Sequence, residues 1–169
     1  ENHPKVAAIS PRHGINVNIL GSLTTLPKQN EQPNSIGARL TGIDPELEEE
    51  VTRFSRFIID GEMLNSDEEG YILIGSNLLK KYSAFSDANI PGLNFLEDVE
   101  VGNRVRVTYS TKTEGKFVKD FILKGIIKSK VDEISTRTFI LDKELKRLLP
   151  VNQVQYQEIS IRTEPEFAL

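Results

Sequence analysis

The sequence predicts an α+β domain, and three segments carry that expectation: a sharply punctuated helix opening at Asp44-Pro45, a short apolar run at 71–74, and a long hairpin over 104–127. In chain order, the first element is a strand within 6–20, where Ile15, Val17 and Ile19 alternate with polar residues. A polar stretch from Thr24 to Ser35 with two prolines then reads as a loop. Ala38 to Ile43 forms a short strand leading into the helix.

That helix is read from its punctuation. Asp44 is placed to accept hydrogen bonds from free N–H groups as an N-cap, and Pro45 fits the first helical position, where its missing N–H would have had no partner. Glu46, Glu48, Glu49 and Glu50 crowd the positive end of the dipole. Leu47, Val51, Phe54 and Ile58 form one apolar stripe, and Gly61 is the expected helix stop. Tyr71 to Ile74 fits a strand buried on both faces, and Gly75-Ser76 turns it into a short helix through Leu78, Leu79 and Tyr82. The stretch from Ser83 to Asp98 has neither helical nor strand period. Arg104 to Tyr109 alternates as RVRVTY, a Glu-Gly turn follows within Lys112 to Lys116, and Phe117 to Ile127 returns as the second hairpin strand. Asp142 is expected to cap a last helix carrying Leu145, Leu148 and Leu149, ended by Pro150, and Val154 to Thr163 is a final strand. No internal repeat is present.

The 169 residues are enough to bury a real core, as one domain or two small ones. With 21 basic against 25 acidic residues the net charge is -4, so no overall field favours nucleic acid or anionic lipid. Cysteine is absent, which excludes disulfides, thiol catalysis and thiolate metal sites together and suits an oxidising compartment. No apolar run approaches the length needed to cross a bilayer, so the expectation is a soluble chain. It opens at Glu1 without a methionine or a signal-peptide pattern, which reads as a mature protein or an excised domain.

Each candidate for chemistry has a structural reading beside it. The acidic cluster Glu46 to Glu50 could hold a hard divalent cation, but it lies where a helix favours carboxylates anyway, with no His or Asn beside it. Asp67, Glu68 and Glu69 look solvated. Ser76 occupies a strand-to-helix turn, as a hydrolase nucleophile does, yet Ile74 and Leu78 stand where that pattern needs glycines, so its expected role is a helix cap. His3 and His13 both lie near the start of the chain, too early for a triad with His last, and are expected at the surface. No nucleotide-binding glycine pattern occurs. Lys116, Lys119, Lys124, Lys128 and Lys130, with Arg104 and Arg106, could track a phosphate backbone, but the scarcity of interleaved aromatics favours lysines guarding an exposed sheet.

A family resemblance adds to this. His3-Pro4-Lys5-Val6 leading to Ile9-Ser10-Pro11, then Leu40-Thr41-Gly42-Ile43-Asp44-Pro45, Gly61, and Ile72-Leu73-Ile74-Gly75-Ser76-Asn77-Leu78 follow in a characteristic order. Val101-Gly102-Asn103-Arg104-Val105, Leu123-Lys124-Gly125-Ile126, and Val131-Asp132 before Thr138 to Leu141 continue it. Together these segments resemble the extracytoplasmic core domain of ABC-transporter permeases of the MacB, lipoprotein-release (LolC/LolE) and FtsX group. The chain departs from that pattern at Gly102-Asn103, where the group commonly has Gly-Asp, and in the length of the stretch from Ser83 to Asp98.

The resemblance implies a Porter-like α/β sandwich part made from 1–43 and 151–169, expected to be truncated because the family fold extends beyond both ends, and a Sabre-like mixed α/β insertion over 44–150. It implies a domain held between the first two transmembrane helices of a cell-membrane permease, on the extracytoplasmic or periplasmic side. No catalytic, cofactor or metal residue is expected, and no cofactor. The implied partners are a second permease subunit, as homodimer or heterodimer, a cytoplasmic ATP-binding subunit acting through the membrane helices, and an extracytoplasmic protein or lipid cargo; no nucleic acid is expected. The implied role is to turn ATP hydrolysis into extracytoplasmic movement for export, lipoprotein release or signalling. The competing readings are a free-standing ligand-binding module and a metal-dependent hydrolase built on the Glu46 cluster and a His. The apolar content of Ser83 to Asp98 leaves two roles open, a partner contact or a lid over the domain's own core.

Overall fold

The computed structural model describes residues 6–21, 34–83, 94–111, 115–149 and 156–164. They form an α+β fold organised on one mixed sheet. The strands are β1 (Val6–Leu20), β2 (Ser35–Ile43), β3 (Ile58–Gly61), β4 (Tyr71–Gly75), β5 (Arg104–Thr111), β6 (Gly115–Ile127), β7 (Arg137–Leu141) and β8 (Glu158–Thr163). The helices are α1 (Pro45–Thr52), α2 (Asp132–Ser135) and α3 (Asp142–Leu148).

Six of the strands close into a barrel. The second half of β1 pairs antiparallel with β2, β2 runs parallel to β7, and β7 is antiparallel to β4. From there β4 runs parallel to β6, β6 forms the expected hairpin with β5, and β5 returns to β1 through Asn18 to Leu20. The first half of β1 leaves the barrel and pairs with β8, from Arg12 opposite Glu158 to Val6 opposite Thr163, as a two-stranded ribbon.

Closure explains the buried run at 71–74. Side chains alternate across a strand, so Ile72 and Ile74 enter the interior with Val17, Ile19, Leu40, Val105, Val107, Phe121, Leu123 and Ile140. Leu73 points the other way, into an outer core of Ile43, Phe54, Leu64, Ile127, Phe139 and Leu141. In β6 the inward residues step from Leu123 to Ile126 because the register shifts there, leaving Lys124 without a counterpart in β4.

The helix at 44 is shorter than its stripe predicts. Asp44 does cap it, accepting from the N–H groups of Glu46 and Leu47. However, α1 ends at Thr52, because Arg53 takes a left-handed conformation with φ 53°. Phe54 to Phe57 then make a 3₁₀ turn, and Ile58 starts a strand. Gly61 is therefore no helix stop: it ends β3 with φ 76°, and an added Cβ would collide with the Lys124 carbonyl.

Three smaller expectations are also corrected. Leu78, Leu79 and Tyr82 lie on and between two short 3₁₀ turns, and the buried Ser76 hydroxyl caps neither. Asp142 is the first residue of α3 and not its cap; its Oδ2 instead pairs with Lys146 at 2.5 Å. The last strand begins at Glu158, while 151–155 and Pro150 lie outside the described residues.

Candidate functional site: the charged joint between ribbon and barrel

The ribbon meets the rest of the fold through charged side chains. Along the first half of β1, Ile9 and Pro11 point to one face and Ser10 and Arg12 to the other, by the two-residue period of a strand. The second face lies against α1. There Glu48, wholly buried, accepts from Arg12 Nε at 2.7 Å through Oε1 and from Arg12 Nη2 at 2.7 Å through Oε2. The Ser10 hydroxyl donates to the same Oε1 at 2.6 Å, and Thr52 Oγ1 donates to the Glu48 carbonyl at 2.9 Å. The Arg12 guanidinium also sits 6.0 Å from the centre of the Phe54 ring.

A second set of pairs ties β8 to the barrel wall. Arg137, on β7, donates from Nη1 to both Glu158 oxygens at 2.9 and 2.7 Å, and its Nη2 pairs with Glu133. Arg39, on β2, bonds the neighbouring Gln157 and lies 3.8 Å from Glu158. At the far end of α1, Arg162 reaches the Glu50 carbonyl at 2.8 Å. The Arg137 bonds hold the Glu158 carboxyl below its ordinary range against the opposing effect of burial, with Arg39 and Arg12 adding to the pull. Burial works against the charge of Arg137, yet its bonds to Glu158 and Glu133 keep its pKa above the usual guanidinium value.

This arrangement can hold two pieces together at fixed angle. Bidentate Arg–carboxylate pairs fix direction as well as distance, so displacing the ribbon requires several charged bonds to break together.

The residues weighed from the sequence fall elsewhere or take other roles. The acidic cluster does not converge. Glu48 turns inward to Arg12, Glu49 accepts from the Ser55 N–H at 2.8 Å, Glu46 accepts from the Ser66 hydroxyl at 3.2 Å, and Glu50 lies beside Arg162. Glu46, Glu49 and Glu50 border an open groove with Met63 and Asn65. Among the described residues no three His, Cys, Asp or Glu side chains are grouped to hold a metal ion. His13 is buried, not at the surface, because β1 carries it into the barrel wall between Arg12 and Gly14; His3 lies outside the described residues.

Asp67, Glu68 and Glu69 are exposed, as expected, and two of them also meet cations: Glu69 lies beside Arg147 and Lys143, and Glu68 beside Lys124. Of the basic residues on and beside the hairpin, Arg106, Lys119 and Lys124 have acidic partners. Arg106 binds Asp120 at 2.7 Å, and Lys119 reaches the buried Glu144 at 2.5 Å. Arg12, Arg137 and Glu158 went unnoticed in the sequence, and Glu48 was read only as one of an acidic cluster; the one legible signal is the polar alternation of Ser10 and Arg12 against Ile9 and Pro11.

The class defined by this architecture is an α+β fold, a closed barrel of six strands with a two-stranded ribbon leading from it. The chain is similar in structure to the extracellular domain of the noncanonical ABC-type transporter YknZ from Gram-positive bacteria, with a TM-score of 0.55 and 13% sequence identity. That likeness covers 95% of this chain, which spans 66% of the length of the YknZ domain. No protein-family model and no curated protein matches the chain. None of the described helices is long and apolar enough to cross a membrane.

Proposed function

We propose that this chain is the extracytoplasmic domain of an ABC transporter permease, moving as a mechanical unit when a cytoplasmic partner hydrolyses ATP. The observation that carries the reading is the shared fold with a transporter's extracellular domain over nearly the whole chain. The ribbon supports it physically. Val6 lies opposite Thr163, so the described chain enters and leaves side by side, as a domain inserted between two consecutive membrane helices must.

In this reading the Porter-like part comprises 1–43 and 151–169 and the Sabre-like part 44–150, with β1 running from the ribbon into the barrel wall and the Arg12–Glu48 and Arg137–Glu158 pairs stiffening the join. Force entering through the ribbon then passes to the barrel along β1 and through these pairs. The domain acts beside a second permease subunit, works in export, lipoprotein release or signalling, and performs no catalysis of its own.

The test uses the absence of native cysteine in the domain. A Lys116→Cys substitution in the full permease, on the exposed hairpin, should react with a membrane-impermeant maleimide in intact cells. Spin labels at that position in the assembled transporter should change separation between nucleotide-free and ATP-trapped states. Labelling only after lysis, or a separation that never changes, would reject the reading.

A further inference from the structure

The barrel removes edges from most of its strands, but the ribbon keeps two, and they are treated differently. The β1 edge is blunted by Pro11 and by a register shift between Val6 and Ala8. The β8 edge, read Glu-Ile-Ser-Ile-Arg-Thr, has no proline, lysine or such shift, and among the described residues no strand lies beyond it. Its outer face carries Ile159 and Ile161, 61% and 55% exposed, beside Ile9 of β1 at 46%. The ribbon's other face packs on α1, but this one is bare, and a further strand would extend the sheet and cover part of it.

We propose that the β8 edge pairs with β8 of a second copy of this chain, antiparallel across a two-fold axis centred on Ser160. The register follows from two facts. Pro11 has no N–H and stands opposite Ile159, so that pair cannot exchange hydrogen bonds. Ser10 with Ser160 and Arg12 with Glu158 are then the bonded pairs, and Ile159 and Ile161 turn their backbone N–H and C=O groups to the open edge. A second β8 must satisfy those outward groups, which restricts the axis to lie on a residue.

Centred on Ser160, Ile159 bonds Ile161 of the second copy, and each Glu158, which also holds Arg137, faces Arg162 of the second copy, which also lies beside Glu50, so opposite charges stand across the seam. Moving the centre to Ile161 sets Glu158 against Glu164, and moving it to Ile159 loses both Glu–Arg pairs. The favoured contact is isologous and makes one four-stranded sheet, β1-β8-β8-β1, with the exposed isoleucines of both copies on one face. It rests on the ribbon alone and stands or falls separately from the transport reading.

The experiment exploits the cysteine-free chain and the charges across the seam. Oxidising a Ser160→Cys variant should yield a disulfide-linked dimer, since residue 160 meets itself at a non-hydrogen-bonded pair with Cβ atoms about 4.5–5.5 Å apart. An Arg162→Cys variant should cross-link far more slowly. In sedimentation equilibrium the unmodified chain should associate with concentration, and Arg162→Glu should weaken that association roughly tenfold. A chain that stays monomeric without cross-linking would overturn the proposal. So would association that ignores Arg162→Glu, which would place the contact elsewhere. Slow amide exchange of Ile159 and Ile161 in a monomer would overturn it too, because a strand of the same chain would then cover the edge.

Discussion

Phe54 and Glu48 show how single side chains set the relation of α1 to the rest of the molecule. The Phe54 ring is wholly buried, meeting Phe139 edge-on at 5.1 Å and Phe57 at 5.9 Å, and it also supports the Arg12 guanidinium. Phe54→Ala should therefore cost about 3–5 kcal/mol in urea unfolding, because the cavity is walled by β7 and cannot collapse. A loss near zero would contradict the packing. Glu48 tests a different balance. Removing it alone, as Glu48→Leu, strands the buried Arg12 charge and should destabilise by about 3–5 kcal/mol, whereas adding Arg12→Met should recover much of that loss. A double variant worse than the single would show that the pair is strongly favourable in its own right. The sequence could not separate Glu48 from Glu46, Glu49 and Glu50, since all four sit in a helix start that favours acids. Only the approach of Arg12, far away in the chain, decides which one is buried.

Among the elements, those whose partners are local were legible and those shaped by distant backbone were not. The β5–β6 hairpin and the Asp44 cap need only neighbouring residues, and both stand where the sequence places them. The apolar stripe of Leu47, Val51, Phe54 and Ile58 was real but was assigned to one helix; the chain breaks at Arg53 so that Phe54 reaches Phe139 and Ile58 can pair with β6. That strand brings Gly61 against the β6 backbone, and Gly75 likewise abuts the Ser135 carbonyl. Gly61→Ala should cost more than Gly75→Ala, since it adds left-handed strain to a backbone clash, and each should exceed about 1–3 kcal/mol by thermal unfolding. The stretch from Ser83 to Asp98 is partly resolved in favour of self-packing. Leu96 is buried in the barrel cluster, and its backbone bonds Leu78 and Lys80, while 84–93 lie outside the described residues. Leu96→Ala should thus destabilise the isolated chain by about 2–5 kcal/mol; an unchanged melting temperature would mean that this end of the stretch is no lid.

At the scale of the whole molecule, the barrel was hidden because its closure depends on β2 lying parallel to β7 and β4 parallel to β6, pairings between segments far apart in sequence and without a local signature. Tyr71 to Ile74 carried the trace of it, a run apolar on both faces that a barrel with an outer core requires. The same closure gathers opposite charges from remote strands, and this predicts the response to acid. Glu158 is held below its ordinary value of 4.5 by Arg137, and Asp120 below 3.8 by Arg106. Both carboxylates bind protons less readily folded than unfolded. Their stabilisation is therefore complete above the unfolded values and is lost as pH falls through the lower, folded ones. Urea unfolding from near neutrality down to about pH 3 should show stability falling as the pH drops below 4.5. Glu158→Gln should lower stability at neutral pH and flatten that acid limb, because the substituted chain has one fewer proton to take up on unfolding. An acid limb equally steep in Glu158→Gln would mean that the Arg137–Glu158 pair contributes nothing to the cohesion of the fold.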